Sequence, residues 1–479
     1  MTNQLVNLES KRRKILLLNP PGSKRYNRDN FCSGTTKGNY SWEPIDLLCL
    51  SGILGEKHDI NVIDATVNMT PRKECFDEIM KMDIDTIIFI TGSASWKEDS
   101  GFIKKIKERK KGLLVIGIGG ILIFNKDKMF RENKFLDAIL FSFTSNDILK
   151  YLDNPSGKIN NIIYRKDNKV FDGGIVPPAD RKFSYAVPRH DLFPIRDYRL
   201  PIIRRYPFAN ILSSIGCVYK CKFCFYGKGT PPFITRDVEN TIEEMKALKA
   251  LGVKELRFMD YDLTTNKANL KKLCERMVEE KFDFAWHALA RVDEVDEGLL
   301  SIMKKSGCKT LLFGIESGDQ RILDLYSKGT TLEQIKKAFE LCKNVGIEIL
   351  AHFIIGLPGE DEASINKTID FSIALDADYA DFSIAAPYVG TVMRDEAIAN
   401  GWIDKKYEKD VYSDSAQYPI MNTETLSKDD VWRLKNKAVR KFFFRPSYIL
   451  KRTLRVGSVT DFFVQAGMAL SLLLGMARE

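Results

Sequence analysis

Histidine is scarce in this chain, with four residues among 479. Long apolar runs are scarce as well. The longest, DFFVQAGMALSLLLGMARE at 461–479, is broken by Gln465 and stays short of the ~20 residues a membrane span needs. The start, MTNQLVNLESKRRK, has no apolar core of a secretory signal. A spread excess of positive charge is also missing. The net charge of +9 is carried by residues 431–455, which hold nine Lys/Arg and no acid, so the remaining 64 bases balance 64 acids. That balance argues against a nucleic-acid-binding surface and leaves one basic, aromatic-rich segment. With 44% hydrophobic and 29% charged residues the chain is no disordered polymer, and its length suits two or three domains.

Nine cysteines are present, but only Cys217, Cys221 and Cys224 cluster tightly, in the stretch CVYKCKFC. Scattered thiols of this kind argue against a disulfide framework and for a reducing cytosol. The spacing is C-x3-C-x2-C, directly after the strand-like run Ala209 to Ser214. No fourth Cys or His is near; the closest candidates are His190 and Cys274. A closed structural zinc site therefore lacks a ligand, whereas three thiolates with one open position suit chemistry. Thiolates are the usual ligands of iron–sulfur clusters.

Apolar runs and intervening amphipathic stretches predict an α/β fold. Residues 1–152 read as a five-stranded doubly wound, flavodoxin-like domain, with strands KILLLN (14–19), INVID (60–64), DTIIFIT (85–91), LLVIGI (113–118) and AILFSF (138–143). Ligands are expected beyond the C-terminal ends of such strands. Residues 153–205, punctuated by prolines, read as a linker wrapped between domains. Residues 206–392 resume the alternation with ANILSS, KELRFM, FAWHAL, KTLLFG, IEILAHFI and DFSIAA, which predicts a partial (β/α)6 barrel. Residues 393–479 read as a helical C-terminal tail.

The cysteine spacing followed by βα units over 206–392 resembles the radical S-adenosylmethionine (SAM) superfamily. That resemblance implies a 4Fe-4S cluster on Cys217, Cys221 and Cys224 whose fourth iron binds SAM. Reductive cleavage of SAM would then yield a 5′-deoxyadenosyl radical. It further implies SAM contacts from Phe223, Asp260, Arg291, Glu316, Ser317 and Gly356, the last in GLPGE after the fifth strand. Three alternatives stand beside those roles: Asp260 capping the next helix, Arg291 paired with Asp293 or Glu294, and Glu316 at a solvated strand end. His287 and His352 lie at or near strand ends facing the expected cavity. Either is a candidate proton donor, against the commoner reading of a satisfied core histidine.

The N-terminal domain resembles the cobalamin-binding domains that precede many radical SAM enzymes, through NPP (19–21), the segment DLLCLSGILGEKHDINVID and Gly119–Gly120. Asn19, Gly119 and Gly120 are its implied cobalamin contacts. No Asp-x-His-x-x-Gly motif occurs, and His58 precedes strand two, so a histidine ligand to cobalt from that motif is excluded. The turns FSFTSND (141–147) and ILIF (121–124) depart from the resemblance, which leaves a degenerate docking domain as the alternative. The tail, with RPSYILKR, resembles those of cyclases acting on porphyrins or membrane lipids. Its bases with Trp432, Phe442–Phe444 and Tyr448 suggest a segment, 431–479, lying on anionic lipid, or else a basic helix packed on the barrel.

The implied function is methylcobalamin-assisted methylation of an unactivated carbon. The alternatives are a cyclase or carbon–carbon bond-forming enzyme acting on a porphyrin or lipid, and a non-enzymatic iron–sulfur redox protein. The implied enzyme is oxygen-sensitive and cytoplasmic or peripheral on the inner membrane face. Its partners would be a small-molecule, lipid or porphyrin substrate and a donor such as flavodoxin or ferredoxin, with no nucleic acid.

Overall fold

Continuous apolar runs become the central strands of two parallel sheets. The computed structural model describes residues 12–29, 33–36, 40–225, 232–405, 407 and 418–454. Nine strands form the N-terminal part: β1 (Lys14–Asn19), β2 (Tyr26–Arg28), β3 (Ser33–Thr35), β4 (Asp59–Asp64), β5 (Thr86–Ile90), β6 (Leu114–Ile118), β7 (Ala138–Leu140), β8 (Ile162–Lys166) and β9 (Lys169–Asp172). β2 and β3 pair as an antiparallel hairpin. The others make one sheet of order β4-β1-β5-β6-β7-β8-β9. Its odd and even residues enter different cores, Ile15, Leu17 and Ile88 on one face, Leu16, Leu18 and Ile87 on the other.

The expected five parallel strands are present, and two antiparallel strands extend them. β8 and β9 come from residues assigned above to the linker. Asp167 and Asn168 both adopt positive φ, 49° and 61°, the conformation of a tight hairpin turn. Tyr164 packs on Phe171 and Tyr151, which anchors the added strands. The many prolines further along had masked this short hairpin signal.

β10 (Lys182–Phe183), β12 (Ser214–Ile215) and β13 (Ile234–Arg236) form a small sheet. β11 (Phe208–Ile211), β14 (Glu255–Phe258), β15 (Ala285–Ala290), β16 (Cys308–Glu316), β17 (Glu348–Ile355) and β18 (Tyr379–Ile384) form a six-stranded parallel sheet in sequential order. Helices cross between successive strands and begin at side-chain caps. Asp237 accepts from Asn240 N, and Thr331 and Gln334 make a reciprocal capping box, each satisfying amides that the helix start leaves free. The segment between the sheets is packed. Phe183, Tyr185, Phe193, Tyr198 and Ile203 are buried, and Gly52 presses against the Ala186 carbonyl so closely that no Cβ fits.

A buried charge network joins the two sheets. His190 lies between Glu43, before the first long helix, and Glu244, on the helix Val238–Ala250, at 3.1 and 2.9 Å. Glu244 also pairs with Arg236, and the second Glu43 oxygen accepts from Asn210 N on β11 at 2.7 Å. All four charged side chains are at most 1% exposed. Burial alone would neutralise His190, but Glu43 and Glu244 outweigh it and raise its pKa to about 9.

The basic tail packs on the barrel. On the helix Lys428–Phe443, Arg433, Lys437 and Lys441 meet Glu362, Asn366 and Asp370. Arg445 and Lys451 pair with Asp376. The apolar run at 461–479 lies outside the described residues, and among the described ones no helix is long and apolar enough to cross a membrane.

The His190 network contributes stability fully present below the unfolded histidine pKa of ~6.5 and lost as pH rises through about 9. A rise of that size corresponds to about 3 kcal/mol. Thermal unfolding between pH 6 and pH 10 should therefore fall more steeply for the wild type than for His190→Gln. Parallel curves would rule out the protonated network.

Candidate active site

The cysteine loop starts where β11 ends, and a buried acid fixes that start. Asp260, at the end of β14, accepts from Ser213 N at 3.1 Å, Ser213 Oγ at 2.7 Å and Ser214 Oγ at 2.6 Å. It is fully buried, and burial, offset by these bonds, pushes its pKa up to about 6. Asp260 therefore ties strand end to loop, and helix capping falls instead to Asp262, which accepts from Thr264 N. The second Asp262 oxygen is buried and has no donor. Burial, then Glu294, pushes that carboxyl up to about 7, and its charge reaches Cys217.

Arg291 realises its salt-bridge alternative. Its Nε and Nη2 donate to the two Asp293 oxygens, each at 3.0 Å, and Nη2 also donates to the Lys328 carbonyl. The guanidinium lies 3.5 Å from the Tyr219 ring centroid, and Tyr219 donates to Glu294 at 2.5 Å. Arg291 thus grips the cysteine loop through an aromatic ring. Glu316 sits at φ 66° and pairs with Lys328 Nζ at 2.8 Å. Both are nearly buried, so the solvated-end reading of Glu316 fails, and the Lys328 charge reaches Cys221. Lys328 was missed by the sequence reading; a lone lysine twelve residues beyond a strand end carries no local signal.

The other expected SAM contacts divide. Phe223 joins an apolar cluster with Ile322, Tyr326 and Leu357, its ring 6.0 Å from that of Tyr326. Ser317 Oγ contacts Thr368 Oγ1 at 3.1 Å and accepts from Asp319 N, so its hydroxyl anchors a turn. Gly356 has φ 86°, and a Cβ there would come 2.7 Å from Val431, so the tail helix requires this glycine. Its amide donates to Glu360 Oε2 at 2.8 Å. The other Glu360 oxygen is buried without a donor, and burial pushes its pKa up to about 8.

His287 and His352 share one face of the sheet, through register with Thr310 and Gly314. They stand about four residues, ~13 Å, apart along the strands. His287 is buried with both ring nitrogens lacking a hydrogen-bond partner, and Glu255 Oε1 is 3.7 Å away. Burial lowers its pKa. His352 is half-buried, 3.5 Å from Asp381, which also accepts from Ser383 Oγ. Leu289, Leu312, Leu350 and Ile354 on the same face are partly exposed, whereas Phe353 and Phe382 face the tail helix through Phe442. His352, not His287, borders reachable space.

On the N-terminal sheet, Asn19 is spent internally. It donates to Asp64 and accepts from Arg28. Arg28 fills the crevice between β1 and β5, where connections reverse direction and ligands are expected. It donates to Asp99 at 2.7 and 2.9 Å, and to Ser95, Thr66 and the Pro20 carbonyl. Gly119, at φ 136°, lies against the Thr91 carbonyl. Gly120 is different: a Cβ there would come 2.8 Å from Phe225 of the cysteine loop.

A parallel barrel-like sheet with a three-thiolate loop after its first strand defines the class of protein. Residues 211–372 match the Radical SAM superfamily. An uncharacterized methyltransferase of Pyrococcus horikoshii is 31% identical over 91% of this chain and 94% of its own length. An anaerobic magnesium-protoporphyrin IX monomethyl ester cyclase of Rubrivivax gelatinosus is 24% identical over 88% of this chain and 77% of its own. Among solved structures, the radical SAM methyltransferase TsrM from Kitasatospora setae, with cobalamin and a four-iron four-sulfur cluster bound, superposes with TM-score 0.65 at 18% identity, covering 81% of this chain and 75% of that one. The cobalamin-dependent SAM radical enzyme OxsB gives TM-score 0.69 at 16% identity over 97% and 72%. The chain belongs to the radical SAM superfamily. It is an enzyme whose cofactors include a 4Fe-4S cluster and SAM.

Asp260→Ala leaves the two serine hydroxyls and one amide without their acceptor. The expected result is a stability loss of about 3 kcal/mol and a lower iron-to-protein ratio after anaerobic reconstitution. Full iron loading of the variant would show that the loop needs no such tie.

Proposed function

We propose that the enzyme methylates an unactivated carbon with cobalamin as methyl carrier, the cluster on Cys217, Cys221 and Cys224 facing a corrinoid held on the N-terminal sheet. One observation carries this reading: the cysteine loop packs directly on Gly120, so the two expected cofactor sites share a wall. The donor sets fit. Three cysteines on one loop are the donor type that iron–sulfur clusters take. The orphaned Asp262 oxygen beside Cys217 offers an acceptor to the SAM ammonium. Gly120 gives the corrinoid a floor without a side chain, while Gly119 faces the Thr91 carbonyl and Asn19 is turned inward. When bound, the cluster and SAM supply a carbon radical and cobalamin a transferable methyl group.

The chain's own residues position and shield. Phe223 offers an apolar wall to the SAM adenine, and Glu316 with Lys328 a charged pair beside the thiolates. Arg291 and Ser317 act through the loops they hold. Leu289, Leu312, Leu350 and Ile354 exclude water from the concave face where substrate lies. His352, backed by Asp381, is the group placed to hold or move a substrate proton. We read the N-terminal unit as flavodoxin-like, ending after Asp172 and not at 152, and the second as a partial barrel to 392. Ring closure is the second reading, favoured by the similarity to the protoporphyrin ester cyclase. Arg433, Lys441, Arg445 and Lys451 of the described tail are engaged by the barrel, whereas Ile449, Leu450 and Leu454 stay exposed, so lipid attachment would rest on those apolar residues.

Anaerobic reconstitution, reduction by dithionite and detection of 5′-deoxyadenosine test the radical step. The wild type should form it and the Cys217/Cys221/Cys224→Ala triple variant should not. A cobalamin spectrum of the purified protein tests the carrier; hydroxocobalamin that fails to bind sinks the methyl-transfer reading. With substrate in hand, His352→Gln should keep deoxyadenosine formation yet lower product per deoxyadenosine at least ~10-fold.

A further inference from the structure

Gly119 and Gly120 are glycines for different reasons. Gly119 needs its positive φ and its contact with the Thr91 carbonyl. Gly120 has no such backbone demand; it starts the short helix Gly120–Phe124, and the space above it is taken by a ring. The ring is Phe225, whose Cζ would lie 2.8 Å and Cε1 3.4 Å from an added Cβ. Two further rings enclose it. Phe124 lies 4.2 Å away between centroids, and Tyr388 6.5 Å away, edge-on. Phe124 rests in turn on Gly390, which follows the last barrel strand. The result is a seat with a glycine floor and aromatic walls, shaped for a flat ring and filled by a side chain of the same chain.

The residue that fills it follows Cys224, the last thiolate of the loop. We propose that Phe225 is a displaceable placeholder for the corrin ring on the Gly120 floor, and that its departure shifts the Cys224 end of the cluster loop. The inference rests on the corrinoid reading above and adds a coupling between the two cofactor sites. Phe225 is only half-buried in its seat, so moving it costs a fraction of a full aromatic burial. A ligand with a larger apolar ring face recovers that cost on the same floor. Ordinary domain packing is the competing explanation, and it makes the opposite prediction, because a packing residue holds the seam together and its loss weakens any ligand bound there.

The test uses the full chain with its cluster reconstituted anaerobically, titrated with hydroxocobalamin and followed by corrinoid absorbance. Phe225→Ala should bind about tenfold tighter than wild type, with unchanged iron per chain. Hydrogen–deuterium exchange of the peptide spanning 221–225 should change on hydroxocobalamin binding in the wild type and not in the variant. Phe225→Leu, which keeps an apolar contact at the seam, should fall between the two and serves if the alanine variant does not fold. Equal or weaker binding by both variants overturns the placeholder role and leaves the corrinoid reading intact. Failure of wild type and variants alike to bind hydroxocobalamin overturns both.

Discussion

An eight-residue loop carrying three thiolates has no ladder of hydrogen bonds to shape it, so its form must be imposed from outside. Every element around the strand ends does so. Asp260 pins its approach through Ser213 and Ser214. Arg291 and Glu294 hold Tyr219 by its face and its hydroxyl. Lys222 donates its amide to the Tyr326 carbonyl and accepts from Met393 N, while Cys224 N closes a turn onto the Cys221 carbonyl. Phe223 pins the far end to an apolar surface of the barrel. These contacts restrict the loop backbone, so cluster assembly has less chain entropy to overcome.

The same requirement explains why the inter-sheet joint is charged. Arg236 donates to the Leu212 carbonyl as well as to Glu244, and its own amide bonds the Ser213 carbonyl. The route from Glu43 through His190 and Glu244 therefore ends one residue from the serines that Asp260 holds. Buried ions are a poor source of net stability, since desolvation offsets much of their attraction. They are directional, however, and an apolar joint of equal area could slide. A charged joint fixes how the N-terminal floor meets the cysteine loop.

What the sequence made legible follows from range. Strands buried on both faces announce themselves in a few consecutive residues, and all six barrel strands fell within a few positions of their expected places. β8 and β9 were missed because their signal is a two-residue turn, Asp167–Asn168, inside a proline-rich stretch. The cysteines were legible because their spacing is local. Their supports were not: Lys328 lies twelve residues from Glu316, and Glu294 seventy-five from Tyr219. The sequence offered Asp293 or Glu294 as the partner of Arg291, and the fold selects Asp293 for the guanidinium while Glu294 takes Tyr219. Gly356 shows the limit of motif reading, since the residue that demands a glycine there is Val431, seventy-five positions on.

The tail carries the same argument to its end. Arg433, Lys437 and Lys441 are spaced by four, and so are Glu362, Asn366 and Asp370, each pair separated by seventy-one residues. A constant offset means two helices running the same way in one register. Read alone, the basic row resembles a lipid-facing stripe, because periodicity reveals a face and not what it meets. These pairs are substantially exposed, and such contacts are worth about 0–1 kcal/mol each. Adhesion must therefore come from the apolar row beneath, Val431, Leu434, Ala438 and Phe442, all buried. The charges select the register, and that register is what sets Val431 against Gly356 at the end of the fifth barrel strand.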